Sequence, residues 1–127
     1  MDRCYFCDKN LHSGSVVSED SLSLVLRDNY PITYLHSLIV PKLHVENIFE
    51  LDCSVYEHLF KQVKSESRKL LKIDNTIDGF NIGVNQGIMA GQTVMHVHIH
   101  LIPRRKGDSL NPKGGVRWIM PDKAKYW

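Results

Sequence analysis

The sequence predicts an α+β fold, an antiparallel sheet of about five strands with one long helix packed on it. Three observations carry this expectation. Apolar runs of strand length recur at 21–28, 37–40, 79–85 and 93–102, bounded by Pro, Gly and Asn. One segment, 52–73, instead spaces Val55, Leu59, Val63 and Leu70 close to a helical repeat. The order is strands, helix, strands, with short connections, which suits a meander.

Each element has its own reason. Residues 4–10 hold Cys4-Tyr5-Phe6-Cys7 and read as a turn or metal knuckle. Segment 21–28 alternates Leu22, Leu24 and Leu26 with more polar neighbours, the pattern of a half-buried strand. Tyr30-Pro31 interrupts it, because proline cannot donate to a sheet ladder. Segment 37–40 is a short apolar run ended by Pro41. In the helix, Ser54 with Glu57 matches a capping box, and Asp52 is a competing N-cap. Lys69 and Lys72 suit the negative pole of its dipole. Segment 79–85 alternates as a strand, 86–91 is a glycine-containing loop, and 93–102 is a long strand closed by Pro103. The tail 107–127 carries Pro and Gly-Gly and is expected to be mostly irregular, with Trp118 and Ile119 packing somewhere. All 127 residues are expected to form one domain.

Composition narrows the function classes. Sixteen basic and fourteen acidic residues leave a net charge of +2, too balanced for nucleic-acid binding by bulk electrostatics. No stretch approaches the roughly 18 consecutive apolar residues of a membrane span. The start, MDRCYFCDKN, has no apolar leader, and the cysteines number three. Together these point to a reducing, cytoplasmic setting.

The chemistry concentrates in GQTVMHVHIHLIPRR. In a strand, every second residue shares a face, about 7 Å apart. His96, His98 and His100 would line one face, while Val97, Ile99 and Leu101 enter a core. Incidental surface histidines fit poorly with strict alternation. Two chemistries fit better: a zinc site, which needs further ligands, or a neutral imidazole that attacks phosphorus, which needs a phosphate cradle. Gly91-Gln92-Thr93 offers such a cradle: a close backbone approach and neutral donors. Arg104 and Arg105 lie beyond the strand and could steer an anion.

This stretch resembles the signature of the histidine-triad (HIT) superfamily of nucleotide hydrolases and transferases. DNYPITYLHSLIVPKLHVENIFEL and GFNIGVNQG resemble its other segments, so the likeness spans roughly residues 4–105. The tail most resembles bacterial-type diadenosine polyphosphate hydrolases. The resemblance implies a HIT-like fold and a homodimer. It implies that His98 is the nucleophile, that His100 contacts the transferred phosphate, and that His36 fixes the triad from behind. Gln92 and Thr93 would hydrogen-bond phosphate oxygens, Gln92 also positioning the water. Asn85 would sit near the leaving group and Asp28 would bind ribose hydroxyls. The sequence departs from the family at Leu35, where many members have glycine or another small residue. Loop 86–90 lacks an acidic residue.

The expected substrate is a nucleotide with a substituted α-phosphate, foremost a dinucleoside polyphosphate such as diadenosine tetraphosphate. A phosphoramidate is the alternative, and a binding module with little turnover a further one. The phosphorus chemistry itself calls for no metal. Family members with the same C-x-x-C bind zinc through positions matching Cys4, Cys7, His44 and His96, which implies a structural zinc here. Phe6, Leu22, Leu26 or Ile32 are candidate walls for the base. His12 and His58 read as surface histidines and Cys53 as a buried thiol.

Overall fold

The computed structural model describes residues 3–127. Its strands are β1 (Val16–Glu19), β2 (Ser23–Arg27), β3 (Ser37–Pro41), β4 (Gly79–Gly83) and β5 (Ile99–Arg104). Two α-helices, α1 (Lys9–His12) and α2 (Cys53–Ile73), and four short 3-10 turns complete the order. The strands form one sheet in the order β1-β2-β3-β5-β4, every neighbour antiparallel. The α+β expectation therefore holds. Among the described residues no helix is long and apolar enough to cross a membrane.

Strand alternation divides the core in two. Val25, Ile39, Ile99 and Leu101 face Leu59, Val63 and Leu70 of α2 in one buried cluster. Their neighbours Leu24, Leu26, Leu38 and Val40 face the opposite side and pack with Phe6. A period of two thus gives the sheet one helix-covered face and one face partly covered by the N-terminal segment.

Several expectations need correction. The strand expected at 93–102 begins only at Ile99 and runs through Pro103 to Arg104. Upstream, the His96 amide bonds to the Val94 carbonyl at 2.9 Å, a tight turn that removes this segment from the ladder. Pro103 is tolerated because β5 pairs with β3 only as far as Leu101, and beyond it with β4 alone. Helix α2 starts at Cys53 after Asp52, whose side chain makes no capping bond, so the Ser54–Glu57 box does not form at this end. Cys53 is exposed, not buried. His12 is buried, packed edge-on to Tyr5, with its Nδ1 unpaired. His58 is half-buried and bonds Asp20 at 2.8 Å. Strand β1 was not expected from its four residues. The tail is irregular apart from two 3-10 turns, Gly115–Ile119 and Pro121–Lys123.

Candidate active site and adjoining Cys/His cluster

The sheet face opposite α2 carries an open cleft of about 1410 Å³. His98 and His100 lie on its floor, with ring centroids 5.2 Å apart. The alternation read from the sequence survives the loss of the strand: Val97, Ile99 and Leu101 still enter the helix-side core.

Hydrogen bonds assign the tautomers. The Nδ1 of His98 lies 2.8 Å from the His96 carbonyl, which can only accept. The proton therefore sits on Nδ1, and Nε2 keeps a free lone pair. His36 is fixed the other way round. Its Nδ1 accepts from the Ile32 amide at 3.2 Å, so its Nε2 carries hydrogen and donates to the Nδ1 of His100 at 2.9 Å. That leaves the Nε2 of His100 as a donor. The cleft thus offers one imidazole lone pair and, beside it, one imidazole N–H.

Burial favours the neutral form of His36 and His100. Burial pushes His100 down to about 4, helped by the neighbouring His98 and His36. Burial lowers His36 as well, against the pull of Asp28, whose Oδ2 lies 3.4 Å from its Nε2. Asp28 also accepts from the Tyr30 amide at 2.8 Å, which shapes the cleft wall.

The remaining candidates divide. Asp28, Asn85 and Thr93 line the cleft. Gln92 is not brought there. It is buried, accepts from the Gly87 amide at 2.8 Å and donates to the carbonyls of Glu46 and Val94. Its amide is spent on holding the loop before the triad. Of the candidate base walls, Phe6 and Ile32 line the cleft, whereas Leu26 is core and Leu22 is exposed outside it. The sequence reading missed Tyr5, Tyr30, Asn81 and Met120, which also line it. No local pattern marks them; Met120 reaches the cleft only because the tail folds back, and Tyr5, Tyr30 and Asn81 come from three separate segments. Neither arginine is a free steering charge. Arg104 is held by Asp108 through two bonds and by Asn81, and Arg105 by Asp74.

Beside the cleft, Cys4, Cys7, His44 and His96 bring one ligand atom each within 4.8 Å of one another. His96 Nδ1 lies 3.1 Å from His44 Nδ1 and 3.5 Å from both sulfurs, and Cys7 Sγ lies 3.4 Å from His44 Nδ1. A zinc tetrahedron with the usual N and S bond lengths has edges of about 3.3–3.8 Å. The second shell agrees. His96 Nε2 lies 2.7 Å from the Pro41 carbonyl, which fixes the proton there and leaves Nδ1 bare for a metal.

A fold of this topology, with alternating histidines in a cleft, defines a histidine-triad protein, and the sequence comparison agrees. The HIT domain matches residues 10–107, so the chain belongs to the HIT domain family. It is 40% identical over 110 residues to the adenylylsulfatase HINT3 of Arabidopsis thaliana, covering 84% of this chain and 55% of that protein. It is 38% identical over 95 residues to the asymmetrical bis(5'-nucleosyl)-tetraphosphatase of Schizosaccharomyces pombe, covering 75% of this chain and 52% of that one. The chain thus spans about half the length of these two relatives. The crystal structure of a zinc-bound histidine-triad protein from Mycobacterium smegmatis superposes with a TM-score of 0.75 at 32% identity, covering 85% of this chain and 79% of that one.

Proposed function

We propose that the protein hydrolyses nucleotides carrying a substituted α-phosphate, through a nucleoside monophosphate held covalently on His98. The observation that carries this reading is the tautomer pair, a bare Nε2 on His98 next to a donating Nε2 on His100. The His98 lone pair attacks the α-phosphorus in line. The bond from phosphorus to the leaving group breaks, and the leaving group keeps the pair and takes a proton from solvent. Water then attacks the same phosphorus and gives its proton to solvent, and the P–N pair returns to His98. The N–H of His100, with Thr93 and Asn85, holds the phosphate oxygens, so positioning and fixed dipoles supply most of the acceleration. Asp28 accepts from the ribose hydroxyls. Gln92 acts by holding the loop.

Two leaving groups fit the family, a polyphosphate and an amine, and the names of the two relatives support anhydride chemistry, with sulfate leaving in one and a phosphate chain in the other. One observation favours the amine. Among the described residues, Arg104 is the single Lys or Arg lining the cleft, and its guanidinium is already taken by Asp108 and Asn81. A chain of several phosphates would find no free cation among them. The test is to incubate wild type and His98→Ala with diadenosine tetraphosphate and, separately, adenosine phosphoramidate, and to identify the products. Cleavage by wild type alone supports the mechanism, and the substrate cleaved decides the leaving group. Nucleotide binding without cleavage of either would reduce the protein to a binding module.

The Cys/His cluster supports a structural zinc on Cys4, Cys7, His44 and His96. Bound there, the ion would act as a closed crosslink between the N-terminal turn and the segment that leads into His98. We also propose a homodimer and a cytoplasmic setting, on family resemblance and cysteine usage; light scattering tests the first.

A further inference from the structure

One buried charge plays no part in this chemistry. Glu66 lies in the middle of α2, 3% exposed, on the face packed against the sheet. Its Oε1 accepts from Arg27 Nη1 at 2.7 Å. The same Nη1 donates to Ser37 Oγ at 2.8 Å, and the Ser37 hydroxyl donates to the Leu35 carbonyl at 2.7 Å. Arg27 and Ser37 are direct partners in the β2–β3 register, so the sheet itself sets this line of contacts.

The line ends on the one non-glycine residue with positive φ among the described residues, Leu35 at 70°. A left-handed backbone is strained for an ordinary residue and persists where its surroundings over-determine it. Here they do so from several sides. Ser37 holds the Leu35 carbonyl, Arg105 holds the Tyr34 carbonyl at 3.0 Å, and the His36 amide bonds Thr33 at 3.1 Å. The next residue is His36, whose ring is gripped by Ile32 on one side and grips His100 on the other. A buried ion pair is seldom worth more than apolar residues of the same size, so its use in fixing one geometry is the more telling property.

We propose that the Glu66–Arg27 pair, acting through Ser37, locks the left-handed turn at Leu35 and so sets the angle at which His36 meets His100. These three are positioning residues on the helix-covered face, acting through the sheet on the reactive face. The proposal rests on the assignment of His98 and His100 as the phosphate-handling pair. It predicts that loosening the turn slows the chemical step more than it weakens nucleotide binding, because Ile32 and Asp28 are the cleft residues tied to His36, whereas Phe6, Asn85 and Thr93 line the cleft from other segments.

The test is Ser37→Ala, which cuts the line at the carbonyl while leaving the ion pair. A comparably mild core truncation, Ile77→Val, serves as the stability control. Two readouts are taken on the full chain: kcat and KM on the substrate that wild type cleaves, and the NMR signal of the His36 Nε2 proton. We expect Ser37→Ala to lose about tenfold in kcat with a smaller change in KM, and its His36 proton to exchange faster or broaden. Ile77→Val keeps both. Glu66→Gln, which keeps the acceptor and removes the charge, should fall between Ser37→Ala and wild type. The proposal is overturned if Ser37→Ala keeps its kcat and its His36 signal, if Ile77→Val changes them equally, or if wild type gives no hydrogen-bonded His36 proton. If wild type cleaves neither substrate, the proposed function fails, and the NMR comparison still decides whether the lock exists.

Discussion

The two faces of one sheet differ in what their side chains are for. The α2 face is closed. Its partners Val25, Ile39, Leu59 and Leu101 are nearly or wholly buried and meet as apolar surfaces, with Glu66 the one buried charge of α2. The opposite face is open. It exposes His98 and His100 to a cleft and is covered at one end by a turn of chain that brings two cysteines. Alternate residues of the same strands serve both, so neighbours one position apart, such as Ile99 and His100, have unrelated duties. Substitutions should therefore separate stability from turnover according to face.

The largest effect belongs to the open face. His98→Ala should lower kcat/KM by about 10⁴-fold or more while leaving the melting temperature close to wild type. A loss of fold in that variant would erase the distinction between the faces. The next belongs to the closed face. Leu59→Ala should cost about 2–5 kcal/mol in a urea titration and leave kcat near wild type well below its midpoint.

The cluster at the margin of the open face should behave like the closed one. Stripping metal with a chelator, or Cys4→Ser, should cost about 3 kcal/mol of stability and release about one zinc per chain. Metal analysis that finds none, with melting unchanged in Cys4→Ser, would contradict the crosslink. The smallest effect is a pH dependence. Burial holds His100 down to about 4, while the unfolded chain protonates it near 6.5. Between those values the unfolded state binds more protons, so stability falls as pH falls. From about pH 7 to about pH 5, wild type should lose about 1–2 kcal/mol more than His100→Gln, allowing for solvent screening. Equal losses would mean that His100 is not held neutral by the fold.

Legibility in the sequence followed the range of the interaction. Helix α2 and strands β2, β3 and β4 are local patterns, and their apolar spacing gave them away to within a few residues. The two-sided placement in HVHIH, with Val97 and Ile99 in the core and His98 and His100 at the cleft, was readable because a period of two survives even where the ladder is absent. The bend at Val94–His96 was not readable, since it comes from His96 being drawn towards Pro41 and the two cysteines, more than fifty residues away in the chain. Gln92 looked like a phosphate ligand because donors beside glycine suit one. Only the tertiary structure supplies Glu46, which takes that amide inward. The burial of His12 and the return of the tail to the cleft have the same origin in distant packing. Leu35 was visible as a departure from the family pattern, but its positive φ and the Ser37 bond that supports it belong to the folded chain alone.

The covalent intermediate is the centre of the account, and stereochemistry tests it most directly. The measurement is hydrolysis of the preferred substrate with an isotopically chiral α-phosphorus, followed by configurational analysis of the nucleoside monophosphate. Two successive in-line displacements, first by His98 and then by water, predict retention. Inversion would mean that water attacks phosphorus directly, and His98 would then be a base or a binding group and not the nucleophile.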